Sequence, residues 1–447
     1  MNHPYHSYSA KILALGFGMT VAMWAVGYVA MMGPGLELGE LLFALTLGCL
    51  VVGGVIAGRT SATRGEAVQT ALYAGGLSAV LNLLLVGSLI GGDSTVERMI
   101  SFGLWSGGTL IASMGLAAAG AAVAWRSGTS RSEEGNWFHR FACVAAATVF
   151  LLLITGGLVT GLEAGLAVPD WPNSFGHNML LYPLEEMVGG VYYEHAHRLY
   201  GMLVGVTSLT LAITLFVYQQ SRWLRNLGVL VLLMVCVQGL IGGLRVTGHL
   251  TFSADPGIMN PNTHLAVVHG VFGQVVFVSI LAIAAFTSST WSSFGPAKAK
   301  PSAASDRNAS TVLVVALIVQ LMLGALYRHL RRDAGDPMES MVWLYLHIVL
   351  AAIVTAMAIF VGGRAWAFSK DLPVLPRLGK AMVHTLGLQL LLGIIALISV
   401  LVARSVEGIS IFEVAMTTAH QATGALLLGI ATLMMVWNRR LLAPTTD

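Results

Sequence analysis

Apolar runs of about twenty residues, separated by short polar breaks, recur from one end of this chain to the other. They predict helices near residues 11 to 32, 37 to 57, 67 to 91, 101 to 125, 140 to 162, 191 to 218, 223 to 247, 263 to 287, 311 to 328, 341 to 362, 379 to 402 and 411 to 437. About twenty helical residues cross a ~30 Å hydrocarbon core. The pattern therefore predicts an all-α, multi-pass membrane protein with about twelve transmembrane helices. Composition agrees: 56% of the 447 residues are hydrophobic and only 10% are charged, against roughly 25% charged in soluble domains. That excludes a soluble globular protein. The net charge of +3 is scattered between spans and forms no basic stripe, which argues against a nucleic-acid partner.

With both termini on the cytoplasmic side, 17 of the 24 Lys and Arg fall on the inner side, as the positive-inside rule requires. A bacterial plasma membrane is the expected location, with lipid as the first partner. The start of the chain has neither arginine nor a small-residue cleavage site, so it reads as neither signal nor transit peptide. Seven arginines face outward instead: Arg98, Arg198, Arg245, Arg328, Arg331, Arg332 and Arg404. Cys49, Cys143 and Cys236 lie singly in apolar runs and suggest no disulfide framework. Redox chemistry would need a bound cofactor.

Polar breaks at Ser127 to Glu134 and Ser288 to Ser310 divide the chain into three blocks of four helices. The division reads as a block over 1–130, a bundle over 136–290, a linker over 291–310 and a bundle over 311–440. The last two blocks repeat a pattern. Their inward-running helices carry a histidine with a small residue four positions on: His197 and Gly201, His269 and Gly273, His347 and Ala351, His420 and Gly424. The alternate helices carry Gln238 and Gly242, Gln320 and Gly324, and Gln389 and Gly393, with Leu152 and Gly156 in the first of them. A small residue at i+4 lies on the histidine's own face, which leaves room for a flat ligand. The histidines lie roughly 6 to 9 residues past their outer helix ends, or about 9 to 14 Å deep. Buried ionisable groups in a bilayer are costly and mostly functional. The quartet suits two bis-imidazole haem sites in two pseudo-symmetric four-helix bundles. Zinc lacks a matching set of cysteines or carboxylates. The glutamines read as polar ties between helices.

The stretch GGLVTGLEAGLAVPDWP from Gly156 to Pro172, followed by YEHAHRLYG from Tyr193 to Gly201, resembles the first half of the haem A synthase family, with its E-x-x-H-R helix. GALYRH from Gly324 to His329 resembles the start of that family's second half. The resemblance covers about residues 136 to 440. It implies a haem-dependent oxidoreductase that oxidises the C8 methyl of haem O to a formyl group, giving haem A for cytochrome oxidase assembly. It further implies that His197 and His269 face the substrate haem, that His347 and His420 ligate the iron of a b-type haem, and that Glu194 is catalytic. Implied partners are haem O synthase, oxidase assembly proteins and a quinol or other electron donor.

Glu194 lies three residues before His197 and so shares its face; the matching positions elsewhere are Ala266, Leu344 and Thr417. One bundle alone thus offers an acid–base group beside its histidine, though a salt bridge to Arg198 would occupy the same carboxylate. Arg245 and Arg328, one in each bundle, could meet haem propionates or reach outer headgroups. His195 points about 200° away from His197. His177, His249, His264, His329 and His384 read as loop or helix-end residues, with His329 the best candidate among them.

Two departures from the family stand out. The cysteine pair that flanks the PDWP loop in many bacterial members is replaced by Val168 and Ser174, and the second half has RRDAGDP from Arg331 to Pro337 in place of a second PDWP. The first block has no histidine beyond His3 and His6, holds Asn82 within a span, and has small-x-x-x-small spacings such as Gly53 to Ala57. It suggests a docking or stabilising role. Two other functions fit the pattern of spans: a dihaem b-type electron-transfer protein, and a twelve-helix transporter, which gives no reason for histidines at equal depth.

Overall fold

The structure is a computed structural model that describes residues 4–32, 39–86, 95–125, 136–248, 262–330, 337–403 and 408–445. The break at Ser127 to Glu134, His3, the side chain of His6, His249, Arg331, Arg332, Arg404 and the RRDAGDP stretch up to Asp336 lie outside the described residues. Among the described residues, twelve helices are long and apolar enough to cross a membrane. They are α1 (Pro4–Met31), α2 (Gly39–Arg59), α3 (Arg64–Val86), α4 (Thr95–Ala124), α5 (Trp137–Gly161), α6 (Gly190–Tyr218), α7 (Arg222–Thr247), α8 (Thr263–Phe286), α10 (Ala303–Leu330), α11 (Pro337–Phe368), α12 (Leu375–Ala403) and α13 (Ile411–Leu441). The all-α, multi-pass fold is as the sequence predicts. A short α9 (Ser289–Ser293), strands β1 (Asn173–Ser174), β2 (His177–Asn178), β3 (Lys298–Ala299) and β4 (Leu442–Ala443), and 3-10 turns at Met179–Leu181 and Leu184–Glu186 complete the described elements.

Several helices outrun the apolar segments that predict them. α10 starts at Ala303, well before the expected 311, because its first turn is held by polar contacts. Ser302 Oγ donates to Asp306 at 2.8 Å, and Arg364 Nε meets the same carboxylate at 2.8 Å. Asn438 of α13 donates to the Asp306 carbonyl at 3.1 Å and to Ser310 Oγ at 3.2 Å. Just beyond α13, β4 pairs in parallel with β3.

Packing divides the chain into two compact units, residues 1–151 with 172–232 and residues 152–171 with 233–447. In the first unit α2 lies directly against α4. A Cβ on Gly54 or Gly58 would strike the backbone of Ala117 or Ala121, and one on Gly120 would strike that of Val51. The close-approach pair is thus Gly54 and Gly58, one position along from Gly53 and Ala57. Gly53 packs on the side chain of Met19. Small residues let membrane helices approach this closely, and dispersion then holds them.

Asn82, the polar residue within a predicted span, is buried and accepts the indole hydrogen bond of Trp24 at 2.9 Å. Trp24 and Tyr28 of α1 also pack against Tyr200 of α6, and Tyr192 Oη donates to the Tyr28 carbonyl at 2.8 Å. Replacing Asn82 by Leu leaves the Trp24 N–H unpaired. The expected loss is about 1 kcal/mol, the scale of interhelical hydrogen bonds in membranes, read as a lower unfolding midpoint in detergent. An unchanged midpoint would show that the pair contributes nothing.

In the second unit α10, α11, α12 and α13 pack in sequence and close into a ring through α10 and α13, with α8 against both of those. Short connections between antiparallel neighbours give this arrangement.

Candidate functional site

In the first unit the start of α6 separates two faces. Gly189, at φ 55°, supplies the left-handed turn by which the chain enters the helix. Glu194 is 5% exposed, and Arg198 Nε donates to its Oε1 at 3.2 Å from one turn along. Arg198 also donates to the Asn173 carbonyl at 3.0 Å. The Glu194–Arg198 bridge weighed from sequence is therefore present. On the far side His195 is fully buried, with Nδ1 3.1 Å from Ser174 Oγ and its ring 5.0 Å from that of Tyr182. It anchors the β1–β2 hairpin, whose central residues Phe175 and Gly176 both have positive φ, as a tight primed turn requires. Burial, with Glu186 nearby, raises the Tyr182 phenol above its ordinary range and keeps it neutral. His197 is half-buried, and a Cβ on Gly201 would meet nothing within 4 Å.

The other three histidines belong to the second unit and share one setting. A Cβ on Gly242, Gly324 or Gly393 would touch the Cε1 of His269, His347 or His420 at 3.0, 3.0 and 2.9 Å. Each imidazole edge thus rests on a glycine of the preceding long helix. Gln238 Nε2 donates to the His269 carbonyl at 2.8 Å, and Gln320 Nε2 to the His347 carbonyl at 2.9 Å. This corrects the reading of the i+4 glycines as ligand space. A Cβ on Gly273 or Gly424 would meet the amide nitrogen of Gln238 or Gln389 at 3.1 and 3.2 Å. Those glycines admit a glutamine; of the three i+4 glycines, Gly201 alone faces open space.

The rings of His347 and His420 stand 6.3 Å apart, centroid to centroid, with their planes at 74°. Two metal–imidazole bonds of about 2 Å end to end, with about 1 Å from each nitrogen to its ring centre, span about 6 Å. His347 Nδ1 lies 3.0 Å from the Gln320 backbone carbonyl and 3.1 Å from that residue's side-chain amide nitrogen, so both polar ends of Gln320 meet one ring nitrogen. His420 Nδ1 is buried with no hydrogen-bond partner. The pair fits a bis-imidazole haem.

A cavity of about 250 Å³ in the second unit is lined by Glu163, Gly165, Arg245, Asn262, Thr263, Arg328 and His329, among others. Arg245 and Arg328 therefore share one cavity, where the repeat assigns one to each bundle. Arg245 lies against Gly165, where a Cβ would sit 2.6 Å from its guanidinium. Arg328 donates to the Thr160 carbonyl at 2.9 Å, at the C-terminal end of α5, and pairs with Glu413 at 3.6 Å. Trp171 of the PDWP segment packs face-on over Gly243, where no side chain would fit. His329 lines the cavity, while His177, His264 and His384 are exposed.

Residues 176–335 match a family model described as cytochrome oxidase assembly protein. Over 224 residues the chain is 25% identical to a protein named Heme A synthase from Chelativorans sp. (strain BNC1), covering 44% of this chain and 58% of that relative. The resemblance to the haem A synthase family is borne out. The chain covers less than two thirds of that relative's length. The stretch matched to the cytochrome oxidase assembly protein model contains Glu194, His197, Arg245, His269 and Arg328, whereas His347, His420 and all of α1–α5 lie outside it. Sequence reasoning missed Glu163, Asn262 and Thr263, and Glu413 as the partner of Arg328. These join only when loops and helix ends far apart in the chain come together, and no spacing announces them.

Proposed function

We propose that this chain is a membrane oxidoreductase that converts the C8 methyl of haem O to a formyl group, giving haem A. His347 and His420 hold a b-type haem, and His197 and His269 face the substrate haem. The reading rests chiefly on the His347–His420 pair, whose 6.3 Å ring separation suits two axial ligands. When bound, the b-type haem would supply the redox chemistry: methyl to formyl is a four-electron oxidation, with dioxygen as the oxidant and a quinol or another donor supplying any further electrons that dioxygen needs. The chain sits in a bacterial plasma membrane with both termini cytoplasmic, and supports terminal oxidase assembly.

The chain's own groups would divide the remaining work. Glu194, buried on the His197 face, would relay protons released as the substrate is oxidised, while Arg198, itself held by the Asn173 carbonyl, fixes its carboxylate in place. Arg245 and Arg328 give the cavity two cations that match haem propionates, and the partners of Arg328 hold its guanidinium in a set pose. Within the first unit α1 braces α6 through Tyr28, which packs on Tyr192 and Tyr200. Arg245→Leu removes one charge-assisted contact, so roughly tenfold weaker haem retention is expected, seen as haem lost during detergent washing.

The direct test is pigment extraction from membranes that make haem O and express this chain as their sole candidate for the step. Haem A should appear. Bound haem b without any formyl-bearing product would overturn the oxidase and leave a dihaem electron carrier.

A further inference from the structure

We infer that Gln238, Gln320 and Gln389, each with the glycine four residues on, form clasps that set the orientation and hydrogen bonding of the haem-facing histidines. They are positioning residues, distinct from plain polar ties between helices. The inference rests on the proposed haem role of those histidines.

Three observations carry it. The same packing occurs at three places: a glycine under the imidazole edge at Gly242, Gly324 and Gly393, and a glutamine amide one turn away. At His269 and His347 the amide reaches the histidine's own backbone carbonyl, at 2.8 and 2.9 Å; at His420 it meets ring Nε2 at 3.4 Å. The tie therefore lands on the residue that would bind iron. A tie serving helix association alone could land anywhere along the interface.

The second observation is the return fit. Gly273 and Gly424 lie four residues beyond His269 and His420, and each makes space for the glutamine that clasps its own histidine. Glycine on one helix admits the ring, and glycine on the other admits the amide. The two spacings read from the sequence are halves of one contact.

The third concerns unmet acceptors. Oε1 of Gln238, Gln320 and Gln389 is buried without a hydrogen-bond partner in every case. A buried carbonyl left so is unfavourable, and the same cost recurs at three equivalent places where the amide nitrogen is the end turned to the histidine, 3.1 Å from His347 Nδ1 and 3.4 Å from His420 Nε2. At His347 the glutamine meets one ring nitrogen twice, Nδ1 lying 3.0 Å from the Gln320 backbone carbonyl and 3.1 Å from its amide nitrogen. Outer hydrogen bonds of this kind fix a ligand's tautomer and raise its basicity, and so tune haem potential. At the matching place in α5 stands Leu152, which has no amide to offer. The clasp is thus a feature of three of the four histidine helices.

The test uses the full-length purified protein with its haem. Gln320→Met keeps side-chain length and removes the amide; Gly324→Ala pushes on the ring and keeps it. Both should retain the fold, weaken haem b retention about tenfold or more, and shift its midpoint potential and low-spin absorption bands. Gln320→Asn, which keeps a neutral side-chain amide one methylene shorter, should leave potential and bands nearer the parent than Gln320→Met does. A potential and spectrum unchanged in both Gln320→Met and Gly324→Ala would overturn the clasp, even with a lower unfolding midpoint, because a tie between helices alone predicts that result. If Gln320→Met does not fold, Gln389→Met with Gly393→Ala gives the same reading at His420. His347→Ala is the control: if it keeps a full complement of haem b, the ligand assignment itself is wrong.

Discussion

Replacing His347 or His420 by alanine is expected to empty the second unit of haem b. Under the proposed assignment each imidazole would supply one of the two protein bonds to the iron, and the rings stand 6.3 Å apart, the separation such a pair needs. Losing only a supporting hydrogen bond around a metal ligand lowers affinity by about 10–100-fold; losing the ligand itself should exceed that. The protein should still fold, because the ring formed by α10 to α13 is held at its other end by Asp306, Arg364 and Asn438. Pyridine haemochrome analysis per mole of purified protein reads the result directly. Retention of parental haem b by both variants would remove these two histidines from the site.

How much of this was legible in sequence differs by kind of contact. The spans were readable because the bilayer demands an unbroken apolar length, and that demand is local. The start of α10 was not, since it depends on Arg364 and Asn438 reaching Asp306 from other helices. The histidine periodicity was visible, and so was the glutamine–glycine recurrence, yet their relation was misjudged. Spacing tells which residues share a face of one helix; it cannot tell what the facing helix inserts there. Gly273 looked like ligand space and holds the Gln238 amide. Arg245 and Arg328 looked like counterparts in separate bundles, but α5's end and α13's start bring Arg328 to the cavity that Arg245 lines. Asn82 was seen as anomalous, and its explanation, Trp24, is one helix pair away.

Replacing Glu194 by glutamine is expected to abolish haem A formation while leaving haem b bound. Glutamine keeps the size of the side chain and can still accept from Arg198 through its amide oxygen, so the start of α6 and the Arg198 contact to Asn173 should persist. What disappears is the capacity to take up a proton. General acid–base groups contribute about 10²- to 10⁴-fold, so product formation in membranes supplied with haem O should fall by at least the lower of these. Haem b content, which the proposal assigns to His347 and His420, should not change, and that separates loss of chemistry from loss of structure. Glu194→Asp keeps the carboxylate but shortens its reach from the His197 face, so it should recover part of the activity. Arg198→Gln is the companion test. It leaves the carboxylate in place without its guanidinium partner, so a smaller loss is expected than for Glu194→Gln. Equal losses in the two variants would mean that the salt bridge, and not proton transfer, is what the site requires. Parental rates of haem A formation in Glu194→Gln would take the carboxylate out of the mechanism altogether.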